Sequence, residues 1–588
     1  MNRRRFLFLS FLGLLVYLVV VLRLLYLQVF RGRHYKELAQ KNYVRRRIIY
    51  PQRGEILDRR GEKLAHDVPK YMLLLDHQKL QEEEDLQRVV QALRELFGLE
   101  LDPESLKRRR SVDPVILTEL STQEEIDRFY NHSYRLPGVF INTLPSRVYP
   151  HGELCAHVVG YVSYPNESYL QKHKQRVGPQ SLVGTQALER SFDEDLLGKV
   201  GAEEVVVNAT GRIVGNLGYV EPEKGKTLVT TIDLRIQRIA YEVFRDSGHK
   251  AGAVLILNAR TGEVLALVSY PSFDPNRLSE LWEQYQRDKL RPLFNRVTHA
   301  RYPPASVIKA ALGVALLEKG VSPTEGVMCR GRFKLGNRDF FCWLRSGHGW
   351  VDLRRAIRDS CDTYFYHYGY YRLGPREIER ALRQFCYGEE VPFELPLLRG
   401  FVPTPEWKKS KKKESWYGGD TVNMSIGQGF MKATLVEQTL MMMAIANDGV
   451  VYKPLLVKEK RDAQGNVTWR AQKSVYRLVG AKPEHFALVR EALRDVVRSG
   501  TAVSANSRIV EIAGKTGTAQ VSSMSARRKN LPYHLRDHAW FVGFAPYRDP
   551  LFVLGVLVEH GGSGGAVAAP IAKRILERIY IEGIHKEV

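Results

Sequence analysis

The sequence predicts an α/β (α+β) domain in the C-terminal part of the chain, an α+β domain before it, and one N-terminal transmembrane helix. The chain has 588 residues, which is more than one ordinary domain holds. Its composition is globular, with 44% hydrophobic and 26% charged residues. An uncharged run from Phe6 to Leu22 begins the chain after three arginines. These observations divide the chain into residues 1–31, 32–225 and 226–588.

The N-terminal run is predicted to stay in place as a membrane anchor. It is long enough to cross most of a hydrocarbon core. Arg23 interrupts it before Leu24–Phe30, but an arginine near a helix end can reach the membrane interface. A cleavable signal peptide is the alternative, and no small-x-small cleavage site follows the run. More cations follow the span than precede it, so the positive-inside rule does not fix the orientation; they are Arg31, Arg33, Lys36, Lys41 and Arg45–Arg47.

Residues 32–225 show the patterns of both strands and helices. Apolar alternations typical of strands occur at Val158–Val162 and Glu203–Val207. The charged segment from Leu80 to Arg110 has helical spacing. No constellation of nucleophile and base stands out in this region, so no catalytic chemistry is predicted for it.

Residues 226–588 have the pattern of a compact α/β domain. Ala253–Leu257 and Val264–Val268 flank the turn Asn258–Gly262, as in a hairpin. Further strands are predicted from Ile512, over 539–544 and over 551–558, and a final helix is predicted over 569–580. An apolar helix that follows Pro303-Pro304 and stops at Gly320 is predicted to be buried.

Ser306 and Lys309 stand at the start of this buried helix and form a Ser-x-x-Lys motif. The spacing puts both side chains on one face, so that the amine can reach the hydroxyl that it must deprotonate. Ser410–Lys413 fits the same pattern by chance, in a run of lysines that is typical of a solvated loop. Ser306 alone would more commonly be a helix cap.

Two further motifs follow in order and raise the specificity of the first. They are Ser360-Cys361-Asp362 and Lys515-Thr516-Gly517, the second within a run of small and β-branched residues typical of a strand that a substrate can approach. Together the three motifs indicate serine acyl transfer with a lysine base.

These motifs resemble those of the penicillin-binding proteins and serine β-lactamases, which carry Ser-x-x-Lys, Ser-x-Asn and Lys-Thr-Gly. Further stretches are similar to class B penicillin-binding proteins; they include Arg53–Arg59, Ala156–Tyr161, Thr231–Asp233, Ser269–Asn276 and Gly427–Gly429. Within that class, Cys342-Trp343, Gly347–Gly349, Ser360–Tyr366 and Asp537–Ala539 resemble the penicillin-binding protein 2 group, which acts in cell elongation. Asp362 stands where the wider superfamily has Asn, and a carboxylate can only accept hydrogen bonds.

The resemblance implies a penicillin-binding domain with an antiparallel five-stranded sheet flanked by helices, in which the first and last strands pair. It also implies an elongated pedestal over 32–225 with a head near 70–145, to which a passive spacer is the alternative. The implied activity is a peptidoglycan D,D-transpeptidase that is inhibited by β-lactams. The alternatives are a D,D-carboxypeptidase or β-lactamase, and a β-lactam sensor or non-catalytic activator of a glycan polymerase.

The resemblance also implies a role for each motif residue. Ser306 attacks the D-Ala-D-Ala carbonyl, and Lys309 takes its proton once burial and the Lys515 charge have lowered the pKa of Lys309. Ser360 relays the proton, and Asp362 orients Ser360 and Lys309. The substrate carboxylate is expected at Lys515, Thr516 and Thr518, beside Gly517, and the oxyanion at the backbone N–H groups of Ser306 and Thr518.

Cysteines suggest a metal centre in the same region. Cys329, Cys342, His348 and Cys361 offer three thiolates and one imidazole, a closed structural zinc set. A disulfide or buried free thiols remain alternatives, because the spacing contains no Cys-x-x-Cys. Some elongation-type transpeptidases are similar in having a metal site there, with carboxylates in place of Cys329 and Cys342. Cys155 and Cys386 are expected to be unlinked.

The net charge of +23 indicates either that the protein binds an anionic partner or that its surface is basic without one. No aromatic-basic module or zinc-finger helix supports nucleic acid, so anionic lipid or an acidic cell-wall polymer is the better expectation. The implied partners are peptidoglycan stem peptides, β-lactams, a membrane glycosyltransferase of the elongation machinery and its scaffold. The expected location is the cytoplasmic membrane, crossed once, with the N-terminus inside and the catalytic domain extracytoplasmic.

Overall fold

The structure is a computed structural model that describes residues 3–31, 44–76, 80, 83–108, 114–173, 176–207, 213–521 and 531–588. Its first element is the helix Arg3–Leu25, which continues as one π-helical turn, Tyr26–Phe30. The segment Phe11–Val29 is 19 residues long with a mean hydropathy of 2.2, and none of it is buried against the protein. The expected apolar helix, long enough to cross a membrane, is thus present. Arg33, Lys36 and Lys41, which bear on its orientation, lie outside the described residues.

The first strand described after the anchor, Val44–Ile49, belongs to an antiparallel three-stranded sheet. The central strand of this sheet is Gly201–Val207. Val44–Ile49 pairs with one edge of this strand and Ile213–Val220 with the other. The alternation at 203–207 is therefore correctly predicted as a strand. The strand predicted at 158–162 is wrong. Ala156–Val159 is a helical turn that ends at Gly160, with φ 83°, and only Val162–Ser163 is extended.

The head contributes three strands to a larger sheet and has a hydrophobic core of its own. Strand Lys63–Leu75 pairs on one side with Val115–Leu120 and on the other with Val139–Val148. Helices Glu83–Phe97, Pro103–Arg108 and Gln123–His132 accompany this sheet. The helical segment predicted from Leu80 to Arg110 is interrupted, because Gly98 takes φ 67° and Pro103 begins a new helix.

One sheet joins the head to the C-terminal domain, which the sequence did not indicate. In this seven-stranded sheet, the short strand Ile56–Leu57 lies between Lys63–Leu75 and Thr227–Thr230. Thr227–Thr230 in turn pairs with Val457–Arg461, and that strand with Val467–Arg470. Strand pairing between the regions ties the pedestal to the domain that carries the motifs.

The five-stranded sheet of the C-terminal domain is antiparallel throughout, as expected. Its order is Val264–Tyr270, Gly252–Asn258, Phe552–Val558, His538–Ala545 and Ala513–Ala519. The first strand along the chain pairs with the last, as the resemblance implied, and the strand with Lys515 lies at one edge.

Helices cover both faces of this sheet, and two glycines show how closely they pack. A Cβ at Gly252 would lie 2.4 Å from the Phe244 ring of helix Leu234–Arg245, and a Cβ at Gly555 would lie 2.6 Å from Leu435 of helix Leu435–Ala446. Leu255 pairs with Gly555, and Gly252 is three residues from Leu255. Since side chains alternate along a strand, the two glycines face opposite sides.

The remaining helices complete the layers of this domain. Helix Ala569–Ile581 packs against Leu234–Arg245, and Pro483–Ser499 packs against the strand with Lys515. Lys309–Glu318 lies against Pro483–Ser499 and is buried over most of its length, as predicted. The other helices of the domain are Leu278–Arg287, Arg296–His299, Leu353–Arg358, Asp362–Tyr368, Gly374–Gln384, Pro405–Trp407 and Gly418–Met424.

Candidate active site

Ser306 lies in a short turn that leads into the buried helix. The turn Ala305–Ile308 is a 3-10 helix, and the α-helix begins only at Lys309. Ala305 has φ 54°, in the left-handed region, and its N–H donates to Gly427 O at 2.9 Å. A non-glycine residue in this conformation is a strained position of the kind that clusters at functional sites. The half-buried Ser306 follows it directly.

Lys309 lies behind Ser306 and is completely buried. Its Nζ donates to Asp362 Oδ1 at 2.6 Å, to the Ser360 carbonyl at 3.0 Å and to Ser360 Oγ at 3.3 Å. An ammonium has three donors, and none of these three acceptors is Ser306. From the motif spacing, Lys309 is expected within reach of the Ser306 hydroxyl, and the resemblance implies that Asp362 orients Lys309 and Ser360. In the structure Asp362 and Ser360 hold the amine.

Asp362 links Lys309 to Trp343 on the same side of the cleft. Its second oxygen accepts from the backbone N–H of Trp343 at 2.9 Å. The Trp343 indole N–H donates to the Asp359 carbonyl at 3.0 Å. Ser360, between these residues, has φ 52°, a second strained non-glycine position in the site. We refer to Ser360, Asp362 and Trp343 as the loop wall.

The other side of the cleft, which we call the strand wall, is the edge strand Ala513–Ala519. Lys515, Thr516 and Gly517 pair with Val542, Phe541 and Trp540 of the neighbouring strand. A Cβ at Gly517 would lie 2.9 Å from Val307 Cγ2 and 3.3 Å from the Pro304 carbonyl. Glycine is needed here because the strand passes so close to the Ser306 turn.

Lys515 is also completely buried, and its Nζ donates to the Thr516 carbonyl at 3.2 Å. Burial, and then the charge of Lys309, lower the pKa of Lys515 well below its ordinary value. An anion bound nearby would favour the charged form of Lys515 again.

The two walls enclose a cleft of about 320 Å³. Ser306, Ser360, Asp362, Thr516, Gly517 and Thr518 line it as predicted, with the two lysines behind them. The remaining lining residues were not predicted from the sequence to lie in the cleft; they are Trp343, Ile426, Gln428, Thr501, Gln520, Ser563 and Gly565. A larger cavity of about 430 Å³ at 389–399 has neither lysine nor histidine in its lining, so we place the chemistry in the cleft.

Two of the missed residues contact the predicted ones directly. Thr501 Oγ1 lies 2.7 Å from Thr516 Oγ1, and Gln428 Nε2 donates to the Thr518 carbonyl at 3.1 Å. The signal for Gln428 was its place in Gly427–Gly429, one of the stretches that carry the resemblance. Thr501 had no signal, because only the chain path beyond helix Pro483–Ser499 brings it to the cleft.

The structure brings the four predicted metal ligands together. One ligand atom each of Cys329, Cys342, His348 and Cys361 lies within 4.8 Å of the others. His348 Nδ1 is 3.5 Å from both Cys329 Sγ and Cys342 Sγ. All five cysteines are free, and Cys155 and Cys386 are buried elsewhere. We refer to the four residues as the Cys/His cluster.

Electrostatics within the Cys/His cluster favour thiolate at two positions. A hydrogen bond from Cys361 and one from His348 lower the pKa of Cys342 to about 2. The two sulfurs raise the pKa of His348 to about 9 against the opposing effect of burial. The pKa of Cys361, which shares its proton with Cys342, is raised. Such a set of thiolates is what a soft metal ion requires.

The Cys/His cluster is continuous with the loop wall. Cys361 stands between Ser360 and Asp362, and Cys342 directly precedes Trp343, whose backbone N–H binds Asp362. Thr363, the next residue along, accepts a hydrogen bond at its hydroxyl oxygen from Cys329 Sγ at 3.2 Å. Any group that draws the four ligands together therefore also fixes the residues that hold Lys309.

Comparison with known proteins agrees with this site. The family model of the penicillin binding protein transpeptidase domain matches residues 252–577, and that of the penicillin-binding protein dimerisation domain matches 48–230. Peptidoglycan D,D-transpeptidase MrdA of Salmonella typhimurium is 32% identical over 96% of this chain and 93% of its own.

Two solved structures share the fold over nearly the whole chain. Penicillin-binding protein 2 of Helicobacter pylori, in complex with MreC, has a TM-score of 0.80 at 27% identity and covers 92% of this chain and 100% of its own. A chain of a peptidoglycan synthase complex that coordinates polymerization and crosslinking has a TM-score of 0.71 at 28% identity, covering 98% and 99%. The chain belongs to the penicillin-binding protein transpeptidase family, in the group that includes MrdA and penicillin-binding protein 2.

Proposed function

We propose that Ser306 is the nucleophile with which this peptidoglycan D,D-transpeptidase of cell elongation cross-links stem peptides. The observation that carries the proposal is that Ser306, Ser360 and Thr518 line one cleft while Lys309 and Lys515 lie directly behind it. A serine acyl transfer needs a nucleophile, a proton carrier and an anion site within reach of one carbonyl. The cleft offers all three.

Acylation begins when Ser306 Oγ attacks the carbonyl between the two terminal D-alanines of a stem peptide. The Asp362 carboxylate, 2.6 Å from Lys309 Nζ, first accepts a proton from the Lys309 ammonium, and the neutral amine then takes the Ser306 proton. Ser360 Oγ, 3.3 Å from Lys309 Nζ, passes a proton to the departing D-alanine amine. The amine of a second stem peptide then attacks the acyl-enzyme, returns the proton to Ser306 and leaves a cross-link.

The strand wall orients the substrate. The terminal carboxylate binds at Lys515, Thr516 and Thr518, and the Thr501 hydroxyl supports Thr516. The backbone N–H groups of Ser306 and Thr518 stabilise the oxyanion. A β-lactam takes the place of the D-Ala-D-Ala unit and leaves Ser306 acylated.

Labelling with a fluorescent penicillin tests the nucleophile. Ser306→Ala should abolish the covalent adduct, and intact-protein mass spectrometry should show the unlabelled mass. Ser410→Ala is the matched control because Ser410 begins the second Ser-x-x-Lys match, and it should label like the parent. Persistent labelling of Ser306→Ala would reject the assignment, and rapid release of the penicillin by the parent would indicate a hydrolase instead.

The Cys/His cluster is suited to a structural zinc ion. Cys329, Cys342, Cys361 and His348 would hold the ion with four protein ligands, so the ion would supply rigidity rather than a reacting water. The donor chemistry fits, since two of the thiols already favour their thiolate forms. Elemental analysis of the purified protein should find about one zinc per chain. The Cys329→Ala/Cys342→Ala variant should lose the zinc, whereas the Cys155→Ala/Cys386→Ala variant should keep it. A parent protein without zinc would refute the proposed zinc site.

Anchorage and partners complete the proposal. The helix Arg3–Leu25 would cross the cytoplasmic membrane once and leave the catalytic domain outside, where peptidoglycan lies. The pedestal would engage a membrane glycosyltransferase and a scaffold protein, which is supported by the similar chains that were solved with MreC and within a peptidoglycan synthase complex.

The membrane orientation can be tested by cysteine labelling. A thiol-reactive, membrane-impermeant reagent should modify a cysteine introduced at exposed Arg498 in intact cells. Protection in intact cells would contradict this orientation.

A further inference from the structure

A basic surface adjoins the cleft and takes no part in the chemistry described above. One π-helical turn, Lys408–Lys412, ends at Lys413, which has φ 59°. Lys409, Lys411, Lys412 and Lys413 are all exposed. We refer to these four residues as the lysine surface.

The turn that carries the lysine surface is held in place. Lys408 is buried, and its Nζ lies 2.7 Å from Asp420 Oδ2 and 3.5 Å from Glu414 Oε2. The preceding residue, Trp407, packs its ring against Phe401 and Phe430 at centroid distances of 4.6 and 5.3 Å. The four exposed lysines therefore project from an anchored turn rather than from a loose chain.

The lysine surface is not neutralised by nearby acids. Within the part of the chain that the structure describes, no carboxylate lies at ion-pair distance from its four members. The acids next to it in sequence are already paired, Glu414 and Asp420 with Lys408 and Glu406 with Arg376. Like charges held together without counter-charges favour an anion from outside the molecule.

The lysine surface is joined to the wall of the cleft by one short segment. Lys412 Nζ lies 5.7 Å from the centre of the Phe430 ring. Two residues before Phe430, Gln428 lines the cleft and donates to the Thr518 carbonyl at 3.1 Å. A polymer whose reacting peptide lies in the cleft would pass close to the lysine surface.

We propose that the lysine surface binds the carboxylates of neighbouring stem peptides on the uncross-linked peptidoglycan strand that is being joined. The inference rests on the transpeptidase function. Each stem peptide ends in a carboxylate, so a strand is a polyanion, and clustered lysines would raise its local concentration at the cleft. The position beside the cleft wall favours this substrate over an anionic lipid surface.

The test compares two variants of equal charge change in full-length protein held in phosphatidylcholine nanodiscs. One replaces the lysine surface by four glutamines. The control replaces four other exposed cations that do not line the cleft, namely Lys289, Lys473, Arg574 and Lys586. Binding is measured with soluble uncross-linked strands, and with the same strands after their carboxylates have been amidated, over a range of salt concentrations.

We expect the lysine-surface variant to bind native strands roughly 16-fold more weakly at low salt, since four exposed ion pairs at a factor of about two each are lost. Its salt dependence should be shallower than that of the parent, and the control should bind within twofold of the parent. Amidated strands should bind parent and variant equally.

Three results would overturn the proposal: equal losses in both variants, a parent that does not distinguish amidated strands, or a lysine-surface variant that loses only its affinity for phosphatidylglycerol vesicles. Ser306→Ala separates this proposal from the catalytic one. It should keep strand binding while losing the penicillin adduct, whereas failure of the parent to label would count against the catalytic assignment alone.

Discussion

The two walls of the cleft are held by different means. The strand wall is part of the five-stranded sheet, and each of its residues from Ala513 to Ala519 pairs with a residue of the neighbouring strand. The loop wall has no such ladder. Its residues are fixed by side-chain contacts, from Asp362 to Lys309 and Trp343 and from the Cys/His cluster to the residues on either side of Cys361. The backbone hydrogen bonds of a ladder remain when one side chain is replaced, whereas the contacts of a side-chain network are lost.

The largest effect is expected at the centre of the loop wall. Asp362→Asn leaves Lys309 buried without a counter-charge, and breaking a buried pair in this way costs about 3 kcal/mol or more of the free energy of unfolding. Acylation by penicillin should slow by roughly 100-fold to 1,000-fold, because the proton carrier loses its partner. Stopped-flow acylation and urea unfolding measure the two effects.

Asp537→Asn is the matched control. Asp537 is an aspartate near the Ser306 cleft but outside its lining. A loss of acylation as large in Asp537→Asn as in Asp362→Asn would show that the effect is not specific to the ion pair with Lys309.

Removal of the proposed zinc ion should loosen the loop wall and spare the strand wall. A strong chelator should slow penicillin acylation by roughly 10-fold to 100-fold, the range seen when the support of a site is lost. Amide hydrogen exchange should rise over 341–363 and stay unchanged over 513–519. Added zinc should restore both measurements. If chelation left the acylation rate unchanged in protein shown to hold zinc, the Cys/His cluster would not be needed to position the residues of the loop wall.

The strand that pairs with the strand wall, His538–Ala545, should respond to acid rather than to chelation. Burial, and then the charge of His560, lower the pKa of His538 to about 3, so the folded state binds fewer protons than the unfolded state between that pH and about 6.5. Stability is therefore lost as the pH falls through this window. The slope is about 1.4 kcal/mol per pH unit, or roughly 2 kcal/mol between pH 6.5 and pH 5.

His538→Phe keeps a ring against Tyr302, whose centroid lies 3.9 Å away, and removes the titration. The difference in unfolding free energy between parent and variant should shrink or reverse towards pH 5. His157 is also buried with its pKa lowered to about 3 and stays in both proteins, so it cancels in the comparison. A pH-independent difference would contradict the assignment.

The sequence predicted the strand wall better than the loop wall. Lys515–Gly517 lies in a run whose small and β-branched residues indicate a strand. Its one neighbour in the sheet, and the strand after that, were recognised from apolar runs. Local pattern was sufficient because a sheet is built from repeating backbone contacts. The joint sheet between head and C-terminal domain was missed, because Ile56–Leu57 is too short to show any period.

The loop wall depends on contacts that no local pattern encodes. The apolar helix predicted that Lys309 is buried. Its partner Asp362, 53 residues on in a different helix, was expected only from the family resemblance and not from any local pattern. The four members of the Cys/His cluster were found from residue type alone. Thr501 and Trp343 were missed as cleft residues because threonine and tryptophan are common in many roles, and only tertiary packing brings these two to the cleft.

The smallest effect is expected where the strand wall meets the Ser306 turn. The indole N–H of buried Trp540 donates to the Pro303 carbonyl at 3.2 Å, three residues before Ser306. Trp540→Phe keeps an aromatic ring and leaves that carbonyl without its donor, which should cost about 1 kcal/mol of unfolding free energy. Penicillin acylation should slow by roughly threefold to tenfold, because the strained Ala305 turn is less well held.

The matched control is Trp469→Phe, since Trp469 is an exposed tryptophan on strand Val467–Arg470, away from the cleft. If Trp540→Phe acylates at the parental rate while losing stability, the bond to Pro303 supports the fold but not the position of Ser306. In that case the strand wall is stiff enough through its ladder alone to hold the nucleophile, and the contrast between the two walls becomes sharper.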